Sequence, residues 1–227
     1  MAHHKAFNKQ RWDSAQKVEL HLFAAKKKRH MDISDLANQA LQRYGTFINQ
    51  ETSDIKDDAE ILEIGCGPAC VSQFIPHGHK TFLDPLLDDF RRIWPGSLPK
   101  GRFITGMAER INMPDQSYDF ILCFKTISHV QNPELLLHEV ERLLKPNGKL
   151  VLSANTWPVP FAQLHYFTAK IFPQWTLKDR LYCYTKRGIE NSLQRHFNIE
   201  KSYVLPATHT LSLKQERLYV CTPLTNT

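Results

Sequence analysis

The sequence predicts a doubly wound α/β fold: a mainly parallel sheet with a C-terminal antiparallel strand pair, N-terminal helices and an aromatic-rich helical insertion. Short apolar runs alternate with helical patterns across the middle of the chain, as in parallel strands joined by helices. The first apolar run ends in a glycine turn, and the last two runs are joined by a short link. The 227 residues suffice for one full core, so residues 52–227 are predicted as the main domain and residues 1–51 as a helical preface.

The preface is predicted to contain two helices, over residues 14–29 and 34–48. Apolar side chains of the second helix share one face behind Ser34, a residue type that caps helix N-termini. The first helix ends in the basic run 26–29, where cations complement the helix dipole. We interpret this run as a solvated helix end rather than a phosphate-binding patch.

The middle of the chain is predicted to alternate strands and helices. Apolar runs predict strands at residues 61–64, 81–84, 102–105, 118–124 and 150–152. Helical patterns follow the glycine turn and also cover residues 86–94 and 133–144. Asn132 is a suitable cap for the last of these helices and Pro133 a suitable first residue, while residues 145–148 stop it.

The segment at residues 155–185 interrupts this alternation and is longer than an ordinary strand-to-helix loop. Its aromatic residues are Trp157, Phe161, Tyr166, Phe167, Phe172, Trp175, Tyr182 and Tyr184. Because ligand pockets are commonly lined by aromatic side chains, we expect a cap over a bound acceptor, with ordinary packing of extra helices as the alternative. A helix over residues 186–197 and an antiparallel pair at 198–205 and 216–222 complete the predicted fold.

Composition narrows the class of protein. Hydrophobic residues make up 42% and charged residues 23%, which argues against a disordered chain and against a membrane channel. The sequence has no apolar run of about 18 residues and no secretory apolar core near its start, so we expect a cytoplasmic protein without a transmembrane segment. Five cysteines at irregular spacing suit neither a disulfide framework nor a four-cysteine zinc site. The net charge of +6 permits weak attraction to anionic partners without establishing nucleic-acid binding.

The strongest functional signal is the strand at residues 61–64 running into Gly65-Cys66-Gly67. Glycines there allow close approach of the backbone to a ligand at the carboxyl ends of the strands. Asp84 lies 19 residues after Gly65, at the end of the next strand, where a carboxylate can accept both hydroxyls of an adenosine ribose. The alternative is a nicotinamide dinucleotide, but its fingerprint requires a third glycine where this chain has Cys70. An adenosine ligand without a pyrophosphate does not require that glycine.

These blocks resemble the class I methyltransferases that use S-adenosylmethionine (SAM), which have a Rossmann-like fold, and within them the branch of ubiquinone and menaquinone biosynthesis enzymes. The resemblance covers about residues 60 to 155 and rests on five ordered blocks, at residues 62–68, 83–85, 106–109, 117–120 and 143–150. Five blocks at family-like spacing are far more specific than any one of them. The resemblance implies SAM as the methyl donor.

The resemblance also implies a donor site. It assigns to the donor Glu63, Gly65, Cys66, Gly67, Asp84, Pro85, Met107, Ala108, Phe124 and Lys125. Glu63 and the glycine backbone would hold the methionine end, Asp84 the ribose, and the Ala108 N–H the adenine ring. The family usually has an acidic residue before that alanine, and this chain has Met107, whose thioether packs well on an aromatic ring. The loop at Phe124 and Lys125 is expected to close over the amino-acid end.

The acceptor side carries fewer signals. His129 occupies a position where relatives often have a histidine near the acceptor, and it is the candidate catalytic base, with local backbone capping as the alternative. Trp157, His165 and Tyr166 are the candidate acceptor contacts in the insertion. His77 and His79 are interpreted as a polar turn, so no metal is assigned.

The expected function is methyl transfer from SAM to a small, partly apolar acceptor molecule. Two alternatives are an RNA or protein methyltransferase that docks through the basic run, and a non-catalytic module that binds SAM. Nucleic acid is not an expected partner, because Phe124-Lys125-Thr126-Ile127 stands where adenine-amine methyltransferases carry Asn-Pro-Pro-Tyr. The sequence leaves the acceptor and the oligomeric state open.

Overall fold

The strands form one sheet with both faces covered. The computed structural model describes residues 2–171, 181–207 and 213–224. In these ranges the strands are β1 (Glu60–Ile64), β2 (His79–Asp84), β3 (Arg102–Thr105), β4 (Tyr118–Phe124), β5 (Leu144–Thr156), β6 (Phe197–Val204) and β7 (Gln215–Pro223). The helices are α1 (Ala2–Lys28), α2 (Ile33–Glu51), α3 (Leu87–Ile93), α4 (Pro133–Leu143), α5 (Val159–Ile171) and α6 (Lys186–Gln194).

The sheet order is β3-β2-β1-β4-β5-β7-β6. Neighbours from β3 to β5 are parallel, whereas β7 is antiparallel to both β5 and β6. The predicted fold class, including the antiparallel C-terminal pair, is therefore confirmed. The strand order reverses between β1 and β4, and ligands of open parallel sheets bind at such a reversal, beyond the carboxyl ends of the strands.

Alternate residues along each strand enter different cores. Leu62, Ile64 and Ile121 pack with α4 and α6 on one face. Ile61 and Phe120, their neighbours in sequence, pack on the opposite face, where Tyr44 and Ile48 of α2 also lie. Because successive side chains of a strand point to opposite faces, this division explains why the strands are almost continuously apolar.

Asp119 is the polar exception in β4, and it ties three strands together. Its Oδ2 accepts the main-chain N–H of Glu60 at 2.8 Å, which fixes the start of β1. The same oxygen accepts Lys145 Nζ at 2.7 Å, at the start of β5. Asp119 therefore stabilises the pairing of the three strands.

Both N-terminal helices differ from their predicted bounds. α1 begins at Ala2 rather than near residue 14, because residues 2–28 contain no glycine or proline that would interrupt a helix. The cap of α2 is Asp32 rather than Ser34, and the Asp32 N–H is accepted by the Asp35 carboxylate at 2.9 Å. The predicted cap of α4 is confirmed, since the Asn132 side chain accepts the N–H groups of Glu134 and Leu135.

The prediction of a helix directly after the glycine turn is wrong. A four-residue 3-10 turn, Val71–Phe74, stands there, preceded by Cys70 in the left-handed conformation with φ of +45°. Only residues 65–78 separate β1 from β2, and Pro76 and Gly78 oppose a longer helix. Residues 145–148, expected only to end α4, lie within β5, at a register shift in its pairing with β4.

The insertion contains α5 and returns to the end of β5 at Tyr184, which forms a bridge with Thr156. Trp157 and Phe161 stack with ring centroids 4.4 Å apart, and the Trp157 N–H donates to the Tyr184 carbonyl at 2.8 Å. Phe172 and Trp175, two aromatic residues of the predicted cap, lie outside the described residues. Among the helices in the described ranges, none has the length and apolar character needed to cross a bilayer.

Candidate active site

A cavity of about 500 Å³ opens at the carboxyl edge of the sheet. Its floor consists of the loops that follow β1 to β4, and its outer wall consists of side chains of α1 and α2. All ten residues assigned to the donor line it: Glu63, Gly65, Cys66, Gly67, Asp84, Pro85, Met107, Ala108, Phe124 and Lys125. His129, the candidate base, also lines it.

Glycine is required at the two positions of the turn for different physical reasons. Gly65 has φ of +69°, and a Cβ there would lie 2.1 Å from Oγ1 of Thr126, whose hydroxyl donates to the Ile64 carbonyl. Gly67 has φ of +52°, and a Cβ there would face the cavity, with the Phe23 ring as nearest neighbour at 3.9 Å. Gly65 therefore lets β1 and β4 approach each other, and Gly67 leaves space for a ligand.

Asp84 ends β2 with its carboxylate held by main-chain groups. Oδ2 accepts the Gly67 N–H and Oδ1 accepts the Leu86 N–H, both at 2.9 Å. Each oxygen retains a lone pair for a further donor. The side chain is 8% exposed, and burial raises its pKa to about 6 against the opposing effect of the two N–H groups.

Both carboxylate oxygens of Glu63 accept hydrogen bonds from the loop behind the glycine turn. Its Oε1 accepts the Val71 N–H at 2.8 Å, and its Oε2 accepts the Ser72 N–H at 2.7 Å and the Ser72 hydroxyl at 2.6 Å. Burial raises its pKa to about 7, although these hydrogen bonds act in the opposite direction. The carboxylate thus shapes the loop that borders the cavity.

The loop after β3 is fixed by Glu109. Its Oε1 accepts the N–H groups of Gln131 at 2.5 Å and Asn132 at 3.2 Å. The adjoining Met107 has the Gln131 side-chain amide 4.0 Å from its sulfur. The amide and the thioether therefore meet beside the position where the sequence resemblance would place the adenine amino group.

Lys125 follows β4 in the left-handed conformation, with φ of +57°. Its N–H is accepted by the Ser153 carbonyl at 2.9 Å and by the Ser153 hydroxyl at 3.1 Å. Its side chain is exposed and borders the cavity. His129 stands three residues after Thr126, at the end of a 3-10 turn, where its main-chain N–H donates to the Thr126 carbonyl.

The far end of the cavity is built around Glu216 of β7. Its Oε1 accepts the Tyr44 hydroxyl at 2.5 Å and the Ser153 hydroxyl at 3.0 Å. Its Oε2 pairs with Arg43 Nη2 at 2.7 Å. Tyr44 also stacks on Phe124, with ring centroids 4.3 Å apart. The far end of the cavity is therefore formed by a stacked ring pair and by an ion pair whose two charges cancel.

The candidate acceptor contacts of the insertion are placed elsewhere. As far as the described residues go, Trp157, His165 and Tyr166 are not among those that line the cavity. His165 is buried, whereas Tyr166 is 64% exposed. Among the described residues, side chains of α1 and α2 form the outer wall.

The contribution of α1 and α2 to the cavity was not predicted from the sequence. On α1 the lining residues are Trp12, Gln16, Glu19, Phe23 and Lys26, spaced by four, three, four and three residues. That spacing marks one face of a helix, so the signal was present. It was missed because the face mixes polar with aromatic residues and lacks an apolar stripe.

The two histidines of the polar turn contact carboxylates. His77 Nδ1 pairs with Asp57 Oδ1, and His79 Nδ1 lies 3.1 Å from Glu60 Oε1. Both pairs are on the surface, at the amino end of β2, away from the cavity at the carboxyl edge.

Part of the chain is similar in sequence to known methyltransferases. A family model described as a methyltransferase domain matches residues 62–152. The thiol S-methyltransferase TMT1B of Rattus norvegicus is 35% identical over 137 residues, covering 54% of this chain and 56% of that protein. A ubiquinone biosynthesis O-methyltransferase of Xanthomonas oryzae pv. oryzae is 29% identical over 111 residues, covering 46% of each chain. The chain spans about half the length of the curated relatives it matches.

Solved structures show the same fold. A SAM-dependent methyltransferase from Methanosarcina mazei superposes with a TM-score of 0.59 at 19% identity, covering 77% of this chain and 97% of that one. A geranyl diphosphate methyltransferase, solved in complex with SAM, superposes with a TM-score of 0.61 at 13% identity, covering 83% and 85% of the two chains.

Proposed function

We propose that this chain transfers a methyl group from SAM to a small, partly apolar acceptor through a class I SAM-dependent methyltransferase domain, and that the acceptor atom is a thiol sulfur. The observation that carries the first part is the joint placement of Gly67 and Asp84 at one cavity. The acceptor atom is inferred from the thiol S-methyltransferases among the relatives.

The cavity suits an adenosine with a charged tail. The Asp84 carboxylate faces it with lone pairs left over from its two N–H partners, as two ribose hydroxyls require. The open space at Gly67 lets the donor lie directly against the main chain. The cavity volume of about 500 Å³ lies within the range of ligand pockets. The Met107 thioether offers a soft surface for an aromatic ring.

When bound, SAM supplies an activated methyl group, so the protein mainly positions the reactants. Asp84 binds the ribose, the Ala108 N–H meets the adenine, and Lys125 borders the amino-acid tail. The side chains of α1 and α2 cover the cavity and exclude water. His129 accepts the proton of the acceptor, because a neutral imidazole is a suitable base near neutral pH.

The acceptor is proposed to bind between His129 and the ring pair of Tyr44 and Phe124. This part of the wall offers an apolar surface, while Arg43 is neutralised by Glu216. A partly apolar thiol needs no buried countercharge there. The thiol of free cysteine has a pKa of about 8.5, so loss of a thiol proton is within reach of one positioned weak base.

A methyl-transfer assay tests this function. The chain is incubated with methyl-labelled SAM and a matched panel of an alkyl thiol, a phenol and an amine that carry the same apolar group. We expect a labelled thioether from the thiol and at least tenfold less product from the other two. Product from the phenol or amine alone would refute the thiol, and absence of transfer to all three would leave a SAM-binding module in place of an enzyme.

A further inference from the structure

The amino-acid tail of SAM carries one positive and one negative charge, and the cavity must meet both. Glu63, the carboxylate nearest the glycine turn in sequence, has three hydrogen bonds with Val71 and Ser72. Building on the proposed function, we infer that α1 is a lid of the donor site, and that its Glu19 and Lys26, together with Lys125, hold this zwitterionic tail.

The position of α1 supports the inference. The residues of α1 that face the cavity recur every three or four positions from Trp12 to Lys26, so one whole face of the helix is turned toward it. Phe23 is the residue nearest to the open side of Gly67, at 3.9 Å from the position of a Cβ. The lid therefore lies directly over the turn that would meet the donor.

Aromatic packing fixes the lid in this position. The Phe23 ring meets Phe90 of α3 edge-on, with centroids 5.1 Å apart, and Trp94 at 6.5 Å. The Trp94 indole N–H donates to the Met31 carbonyl at 3.2 Å, just beyond the end of α1. Because these contacts hold the C-terminal half of α1 against the domain, Glu19 and Lys26 are presented from a supported helix.

Lys26 differs from the lysines that follow it. Its Nζ lies 4.7 Å from the centroid of the Phe23 ring, and the residue is partly buried beside the cavity, whereas Lys27 and Lys28 are exposed. Burial lowers the pKa of Lys26; Glu19 acts in the opposite direction, and the charge of Lys125 adds to the lowering. Lys26 and Lys125 come from separate elements and both line the cavity, an arrangement that favours a bound carboxylate.

Glu19 supplies the opposite charge. It lies seven residues before Lys26, two helical turns away on the same face, and both line the cavity. A carboxylate and an ammonium group two turns apart on one helix face match the ammonium and carboxylate groups of an amino acid. Charge-assisted hydrogen bonds of this kind are stronger than neutral ones.

The test compares two donor analogues by calorimetry. S-adenosylhomocysteine retains the zwitterionic tail, and methylthioadenosine has the same adenosine and sulfur without it. We expect Lys26→Met to weaken binding of S-adenosylhomocysteine by roughly five- to tenfold and to change binding of methylthioadenosine by less than twofold. Glu19→Gln should show the same selectivity, and Lys28→Met, two positions along the same helix, should match the unchanged chain.

Each other result is decisive. Unchanged affinity of Lys26→Met for S-adenosylhomocysteine would overturn the inference, and equal losses for both analogues would show that α1 supports the fold without contacting the tail. Because methylthioadenosine binding reports an intact adenosine site, a misfolded variant is recognised at once. If the unchanged chain binds neither analogue, the proposed function fails as well, an outcome separate from failure of the Lys26 variant alone.

Discussion

Gly65 and Gly96 have the same backbone angle, φ of +69°, but different surroundings. A Cβ at Gly65 would collide with Thr126, whereas among the described residues nothing lies within 4 Å of a Cβ at Gly96. We expect Gly96→Ala to cost about 1 kcal/mol of unfolding free energy, from the backbone alone. Gly65→Ala should cost about 3 kcal/mol, because it adds overpacking. Urea unfolding measures both, and equal losses would show that the contact with Thr126 is unimportant.

The pH dependence of donor binding should reflect protonation of the Asp84 carboxylate. Its pKa in the folded chain is raised to about 6, so the carboxylate is ionised at pH 7 and protonated at pH 5. Protonation removes the charge and one acceptor for the ribose, so the affinity for S-adenosylhomocysteine should fall about tenfold between pH 7 and pH 5. Asp84→Asn should bind weakly with a smaller pH dependence, and any remaining slope belongs to the other titratable groups that line the cavity, Glu63 and His129 among them. Affinity that stays constant in the unchanged chain would contradict the role of Asp84.

His129 is expected to affect turnover rather than donor binding. His129→Asn should lower kcat by about 10²-fold at pH 7, because a positioned base typically contributes that much. The loss should diminish as the pH approaches the pKa of the thiol acceptor, since the acceptor then ionises without help. The dissociation constant of S-adenosylhomocysteine serves as the control and should change by less than about twofold. An unchanged kcat would assign His129 to local backbone capping.

At the scale of elements, the attachment of α2 to the sheet depends on Glu216. This buried carboxylate joins Arg43 and Tyr44 of α2 to Ser153 of β5. Glu216→Gln leaves Arg43 without its countercharge and should lower the unfolding free energy by about 3 kcal/mol in urea titration.

The matched control is Glu200→Gln on the neighbouring strand β6. Glu200 is exposed and accepts the Thr222 hydroxyl at 2.8 Å, so its loss should cost less than about 1 kcal/mol. Similar losses for the two variants would mean that the buried network does not hold α2.

Elements with a strong periodic pattern were predicted well, and those set by tertiary contacts were not. The strand at residues 118–124 and the Asn132 cap came directly from apolar runs and side-chain chemistry. The 3-10 turn at Val71–Phe74 depends on hydrogen bonds that Glu63 makes across the loop, which local sequence does not display. The placement of α1 over the cavity likewise depends on packing of Phe23 against α3.

At the scale of the molecule, alternation of strands and helices predicted the parallel part of the sheet, because each of its strands must bury both faces. The short link between the last two apolar runs predicted the C-terminal antiparallel pair. The residues predicted at the ends of β1 and β2 do line one cavity, since glycines and a carboxylate at strand ends have local signatures. The outer wall was not, because residues 12 to 44 reach the cavity only through the packing of α1 and α2 on the domain. Long-range placement of helices is the part that sequence patterns describe least.

The most direct test of the account is a calorimetric titration of the full chain with S-adenosylhomocysteine, and in parallel with NAD. We expect one site with a dissociation constant on the order of micromolar for S-adenosylhomocysteine. Asp84→Ala should weaken that binding at least about tenfold, and NAD should give no heat of binding. A flat titration with S-adenosylhomocysteine, or tight binding of NAD at the same site, would contradict it.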